Sequence, residues 1–243
     1  MSKNSMDKAG QTIIKICVFS IILSLTALVL CAIFQNWTKE TNTKPINKKD
    51  TIIVIDAGHG GEDGGASSAD GVQEKDLNLS IALTLGEMLK SSGYNVVYTR
   101  TEDKLLYTEY KKGSLKMQDL KNRLNIANSA ENTVFISIHM NKFTQEKYSG
   151  LQVFYSPNDS TSSELASLIQ DNVKNKLQPN NDRKTKMAGS NIYLLDNINT
   201  PAVLIECGFL SNSDECFKLK NETYQKELSS VIYYSVVEFL SCS

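Results

Sequence analysis

Apolar, β-branched runs alternate along this chain with stretches of helical period, and few architectures accept that rhythm. "TIIVI" (51–55) precedes a helix expected over Leu77–Ser91, and "YNVVYT" (94–99) precedes one over Lys116–Ala130. "TVFISI" (133–138), "LQVFY" (151–155), a helix over Ser162–Leu177 and "AVLIE" (202–206) continue the pattern. Strands that read as nearly unbroken apolar runs are covered on both sides. The chain is therefore expected to be α/β, with a mixed, mostly parallel twisted sheet and helices on both faces. Tyr224, Leu228, Val231, Ile232, Ser235, Val236, Phe239 and Leu240 recur at helical spacing and predict a last helix packed on that sheet.

Ahead of this pattern lies a segment of another kind. From Ile16 to Phe34 no residue is charged, and nineteen residues rising 1.5 Å each approach the ~30 Å hydrocarbon core of a bilayer. The run is longer than a cleavable signal's apolar stretch, and "CAIFQNW" offers no small-x-small cleavage site, so an uncleaved transmembrane anchor is expected. Leu30 stands where a lipoprotein signal would carry a small residue before Cys31. Lysines flank both ends of the span, so the positive-inside rule does not orient it, while Trp37 suits the membrane interface. The expected organisation is a tail and anchor over 1–35, a polar linker over 36–50 and one catalytic-size domain over 51–243.

Lys and Arg total 26 against 27 Asp and Glu, a net charge of -1 with no basic stripe, so nucleic acid is not an expected partner. The cysteines show no CxxC spacing and imply neither a disulfide framework nor a thiolate zinc cluster.

The chemistry should sit at the carboxyl ends of the strands, where an open α/β sheet leaves its ligand crevice. His59 follows the first strand within "IDAGHGGEDGGA", His139 ends "VFISIH" and Glu206 ends "AVLIE". The glycine-rich stretch is neither dinucleotide fingerprint nor P-loop, because Asp63 occupies the third glycine position and no Gly-Lys-Ser/Thr follows. A catalytic zinc takes three protein ligands, often two His and one carboxylate. His59 and His139 are the chain's two histidines, and the carboxylate is a choice among Asp56, Glu62, Asp63 and Glu74. Glu74 could instead serve the dipole of the following helix, with Asp76 as its N-cap. Glu206 ends an apolar strand, where a carboxylate needs partners or work to do, and a general base fits that position. Cys207, the runner-up nucleophile, should face the packing if Glu206 faces the crevice.

"IVIDAGHGGEDGGA", "VQEKDLNL", "VFISIHMN" and "PAVLIECGFLSNSDE", in this order, resemble the zinc-dependent N-acetylmuramoyl-L-alanine amidases of bacterial cell walls, over about Thr51 to Leu240. The resemblance implies one Zn2+ per chain on His59, Glu74 and His139, with Glu206 as the catalytic base. It implies hydrolysis of the amide between muramic acid and the first L-alanine of the stem peptide in peptidoglycan. Asn141 and Arg100 would position substrate or order loops. Members governed by division proteins carry a long helical plug, whereas the residues between His139 and Pro201 leave room for one strand, one helix and loops. No wall-binding repeats are recognisable, so recruitment falls to the anchor. A single amidase domain on an N-terminal anchor looks like the germination-specific amidases of spore-formers, which act on spore cortex in forming muramic δ-lactam. The substrate places the domain outside the cytoplasmic membrane, and an accessory protein is left open. The competing readings are a membrane-tethered peptidoglycan-binding module and a zinc peptidase that cuts the stem peptide.

Overall fold

The computed structural model describes residues 8–37, 51–107, 115–130 and 132–242, and contacts divide the chain into two units, Met1–Lys44 and Pro45–Ser243. The first unit is the helix α1 (Lys8–Trp37). Within it Ile13–Leu30 has a mean hydropathy of 2.6, long and apolar enough to cross a membrane by length and composition. Its apolar side chains show no polar stripe, and large ones such as Phe19 and Leu28 are exposed, as expected of a helix whose covering lies outside its own unit. The polar tether expected after it (38–50) lies outside the described residues, as does the side chain of Trp37.

The second unit runs β1 (Ile52–Ala57), α2 (Glu74–Ser91), β2 (Asn95–Tyr98), α3 (Leu115–Ala127), β3 (Thr133–Asn141), β4 (Gln152–Tyr155), α4 (Ser162–Lys176), β5 (Lys186–Met187), α5 (Tyr193–Asn197), β6 (Ala202–Phe209), α6 (Ser213–Leu219) and α7 (Glu222–Cys242). The strands order as β2-β1-β3-β6-β4-β5. Pairing is parallel from β2 through β6 and between β4 and β5, and antiparallel where β4 meets β6. The mixed, mostly parallel sheet expected from the sequence is therefore present.

Side-chain alternation along the central strands splits the core in two. Ile53, Ile55, Ile136, Ile138, Val203, Ile205 and Cys207 meet α2, α4 and α7 on one face. Val54, Phe135 and Leu204 meet α3 and α5 on the other. Helices thus cover both faces. Cys207 lies in the larger core, so Glu206 next to it points to the opposite side.

Three of the boundaries that differ from expectation lie at the site end of the sheet. β3 and β6 run on past His139 and Glu206 to Asn141 and Phe209, because pairing between the two strands resumes at Asn141–Phe209 beyond an extra residue in β6. Neither residue ends its strand. α2 starts at Glu74 rather than Leu77: Gln73 is the extended cap residue, and the Glu74 N–H is tied to the Ala66 carbonyl at 2.8 Å. Asp76 is therefore not the N-cap; its N–H bonds the Gln73 carbonyl from inside the first turn. Between His139 and Pro201 the chain also forms β5 and the short α5, more than the single strand and helix expected. The longest helix of that span, α4, packs with α7 on the face away from Glu206, and no long helical plug is found among the described residues.

Candidate metal centre

β1, β3 and β6 deliver their carboxyl ends side by side. His139 on β3 is the register partner of Glu206 on β6, so both side chains stand on the same face at adjacent strands. His59 lies just beyond β1, and Glu74 opens α2. One donor atom each from His59, Glu74 and His139 falls within 4.8 Å of the others. Glu74 Oε1 lies 3.3 Å from His59 Nε2 and 2.9 Å from His139 Nδ1.

Glu74 and His59 are each held from behind. Glu74 Oε1 accepts the Met140 N–H at 3.0 Å and Oε2 accepts the Ala66 N–H at 2.8 Å. The other nitrogen of His59, Nδ1, lies 2.9 Å from Asp63 Oδ2. A carboxylate there takes the Nδ1 proton, so Nε2 is the nitrogen that faces Glu74: it donates to Glu74 while the ring is protonated and offers a lone pair once the ring is neutral. Burial opposes charge on His59, yet the hydrogen bonds and charges of Glu74 and Asp63 raise its pKa above the imidazole reference. Glu74 is likewise buried, but hydrogen bonds from His139 and His59 hold its carboxyl far below the usual range. These shifts are what closely gathered ligands experience when protons stand in for a cation.

Local backbone geometry explains the glycines. A Cβ on Gly58 would lie 2.2 Å from His139 Nε2, so that imidazole occupies the space a side chain would need. Gly65 has φ +67°, and a Cβ there would meet Glu74 Oε2 at 2.6 Å and His59 Cδ2 at 2.7 Å. His59 itself is left-handed at φ 61°, the one non-glycine residue so placed among the described residues. Such a conformation costs roughly 1–3 kcal/mol and persists only where neighbours enforce it.

Two buried arginines do the enforcing. Arg123 donates to the carbonyls of Ala57 and His59, both at 2.7 Å, while pairing with Asp56 and Asp119. Asp56 is fully buried and also accepts from Thr99 Oγ1 at 2.7 Å and Ser137 Oγ at 2.6 Å. Burial opposes its ionisation, but the Arg123 guanidinium and these hydroxyls hold its carboxyl low. Arg100 donates to the carbonyls of Ala57, Gly58, Lys75 and Glu102. Its guanidinium is occupied by backbone, which suits the loop-ordering role of the two expected for it.

The four carboxylates weighed from the sequence therefore separate. Asp56 is committed to Arg123, Asp63 orients His59, Glu74 joins the imidazoles, and Glu62 is exposed. Asn141 lies two residues beyond His139 and lines an adjacent groove with Tyr148, Gln152 and Phe209. Sequence reading missed Arg123 and Asp119. The signal was there, since Asp119, Arg123 and Ala127 form the buried i, i+4, i+8 stripe of α3.

Glu206 faces a cavity of about 260 Å³ together with His59, His139, Asp63 and Tyr193. Its Oε2 is shielded from solvent and has no hydrogen-bond partner. Burial pushes its carboxyl up; His139 and His59 oppose this and Glu74 adds to it. An orphaned buried carboxyl oxygen beside three gathered donors is what a divalent ion and a reacting water would satisfy. Donors around a tetrahedral zinc stand ~3.3 Å apart; Glu74 lies 3.3 and 2.9 Å from the two imidazoles and all three donors fall within 4.8 Å, so the residues present fit the ion.

With this geometry, residues 53–238 match the family model Amidase_3, N-acetylmuramoyl-L-alanine amidase. The chain belongs to that family. The amidase is 38% identical over 192 residues to the germination-specific N-acetylmuramoyl-L-alanine amidase of Bacillus subtilis, covering 78% of this chain and 80% of that one. Among solved structures, the CwlD amidase of Clostridioides difficile, in complex with the GerS lipoprotein, matches at a TM-score of 0.76 and 43% identity. That match covers 79% of this amidase and 100% of that chain. The catalytic domain of the amidase CwlV from Bacillus (Paenibacillus) polymyxa var. colistinus matches at a TM-score of 0.66 and 30% identity, over 79% of this amidase and 99% of that chain. The chain is accordingly an N-acetylmuramoyl-L-alanine amidase acting on peptidoglycan.

Proposed function

We propose that this amidase is a zinc hydrolase of spore cortex peptidoglycan, with one zinc per chain on His59, Glu74 and His139 and with Glu206 as its base. The observation that carries the reading is the meeting of three metal-type donors with the unpartnered Glu206 oxygen at adjacent strand ends. A zinc ion held there supplies Lewis acidity toward the amide carbonyl and lowers the pKa of water.

Everything else is done by the chain. Glu206, raised in pKa by burial, is suited to take a proton from the attacking water and to pass it to the departing alanine nitrogen. Asp63 keeps the proton of His59 on Nδ1, and Met140 and Ala66 keep both Glu74 oxygens in place. Arg123 and Arg100 hold the carbonyls of residues 57–59, so the loop does not relax away from its left-handed turn. Asn141 lines the groove next to this centre, where it would contact substrate.

The cortex role, in forming muramic δ-lactam needed for germination, is supported by similarity to the germination-specific and CwlD amidases. The apolar α1 supports a signal anchor over 1–35 joined by a linker over 36–50 to a catalytic domain over 51–243. Peptidoglycan lies outside the cytoplasmic membrane, so the catalytic domain belongs on that side. Because CwlD was solved with a lipoprotein, an accessory protein of that class is proposed for this amidase too.

Digestion of purified peptidoglycan by the zinc-loaded protein, read by mass spectrometry, tests the chemistry. New L-alanine amino termini are expected. Cuts only between stem residues would point to a peptidase, and bound but uncut wall to a binding module. Glu206→Gln should keep its zinc and lose about 10²–10⁴-fold in turnover; an active variant removes Glu206 from its role. Cortex from spores lacking the protein should lack muramic δ-lactam.

A further inference from the structure

Beyond Glu206 the sheet carries a feature that the donor cluster does not use. Pairing of β3 with β6 is regular up to His139–Glu206 and resumes at Asn141–Phe209, so two steps on β3 face three on β6. An extra residue of this kind turns the next side chain over, and here it brings Phe209 to the Glu206 side. On the other flank, Gln152 of β4 is the antiparallel partner of Glu206. Its amide is fixed at both ends: Nε2 donates to the Lys184 carbonyl at 2.7 Å, and Oε1 accepts from Arg183. The Arg183 guanidinium lies 4.8 Å from the centroid of the Phe209 ring. With Asn141, Tyr148 and Lys186 these residues form a groove of about 350 Å³.

Arg183 is the unusual member. The other two guanidinium groups near the site, Arg100 and Arg123, are occupied by carbonyls and carboxylates. Arg183 has no ion pair among the described residues, and its Nε is buried without a hydrogen-bond partner. Of the carboxylates whose charge it feels, Glu215 is engaged by the N–H groups of Gly150 and Phe209. A guanidinium stacked on a ring and braced by an amide keeps its planar fork of donors ready for a carboxylate.

We infer that this groove receives the stem peptide and that Arg183 binds the free α-carboxylate of its second residue. The inference rests on the amidase reading of the adjacent centre. Charge gives the direction: once the lactyl carboxyl is in the scissile amide, the sugar side is neutral and the carboxylates lie on the peptide side. Reach gives the residue. From the scissile nitrogen to the second-residue carboxylate is five bonds, roughly 6 Å extended. Gln152 stands about 5 Å from Glu206 across the ladder, and Arg183 is bonded to it.

Two muramyl tetrapeptides, identical except for a free or amidated α-carboxyl on the second residue, test this with the zinc-loaded full chain. Wild type should show a kcat/KM about ten-fold higher on the free acid. Arg183→Gln should bring the ratio to about one, and Arg183→Lys should recover part of it. Equal rates in the wild type overturn the inference without any variant, and so does a ratio that survives Arg183→Gln. A wild type that exposes an L-alanine amino terminus on the stem peptide of neither substrate overturns the amidase reading itself, and the groove's role falls with it.

Discussion

Glycine 58 shows how narrowly single residues are constrained here. Replacing it with alanine sets a methyl group against the His139 ring, which cannot stay where it is. Gly58→Ala should therefore lower zinc content well below one per chain, with a stability loss of about 1–3 kcal/mol from overpacking. Metal analysis and urea unfolding would check it, and full zinc occupancy would contradict the packing argument. From the sequence, the two histidines were legible because each follows an apolar strand run. Glu74 became distinguishable from Asp56, Glu62 and Asp63 only through family resemblance. Spacing does not say which carboxylate turns inward; Glu74 does so on the N–H groups of Met140 and Ala66, contacts that no periodicity encodes. Which of the two roles expected of Arg100 it serves was not legible for a related reason, since a charged residue after a strand reads alike whether it meets substrate or backbone carbonyls.

Among the elements, α3 joins stability to the site most directly. Its buried Asp119–Arg123 pair reaches across to Asp56 and to the carbonyl of His59. Arg123→Met leaves two buried carboxylates without their cation, a loss of about 3–5 kcal/mol. It should also weaken zinc binding, because nothing then restrains the His59 carbonyl. Chemical denaturation with and without zinc measures both effects, and a variant as stable as the parent would show that the network contributes nothing. Strand and helix order were readable throughout the domain, since long apolar runs and helical stripes survive any tertiary context. What escaped was short or broke the apolar run: β5, α5 and α6 bury too few residues for a periodic signal, and the ends of β3 and β6 follow a polar residue, His139 or Glu206, that reads as the end of a strand. The extra residue in β6 has no signature at all, yet it aims Phe209 at the groove.

At the scale of the whole molecule, folding, protons and metal share one set of side chains. In the metal-free protein His59 has a raised pKa, so its protonated form stabilises the fold below its unfolded value of 6.5, and this contribution is lost as pH rises through the raised value. Glu74 acts oppositely: its depressed pKa gives a stabilisation present above the unfolded 4.5 and lost as pH falls through the folded value. Zinc needs neutral rings, so binding must expel the His59 proton and should tighten as pH rises. The Tm gained on adding zinc should thus be larger at about pH 8 than at about pH 5.5; an equal gain would mean that His59 is no ligand. A last consequence follows from Cys207, turned into the larger core while its neighbour Glu206 faces the cavity. Burial holds that thiol far from ionisation. The one sulfur that adjoins Glu206 in sequence is sealed behind the sheet, so oxidants and alkylating agents have no route through it to the cavity.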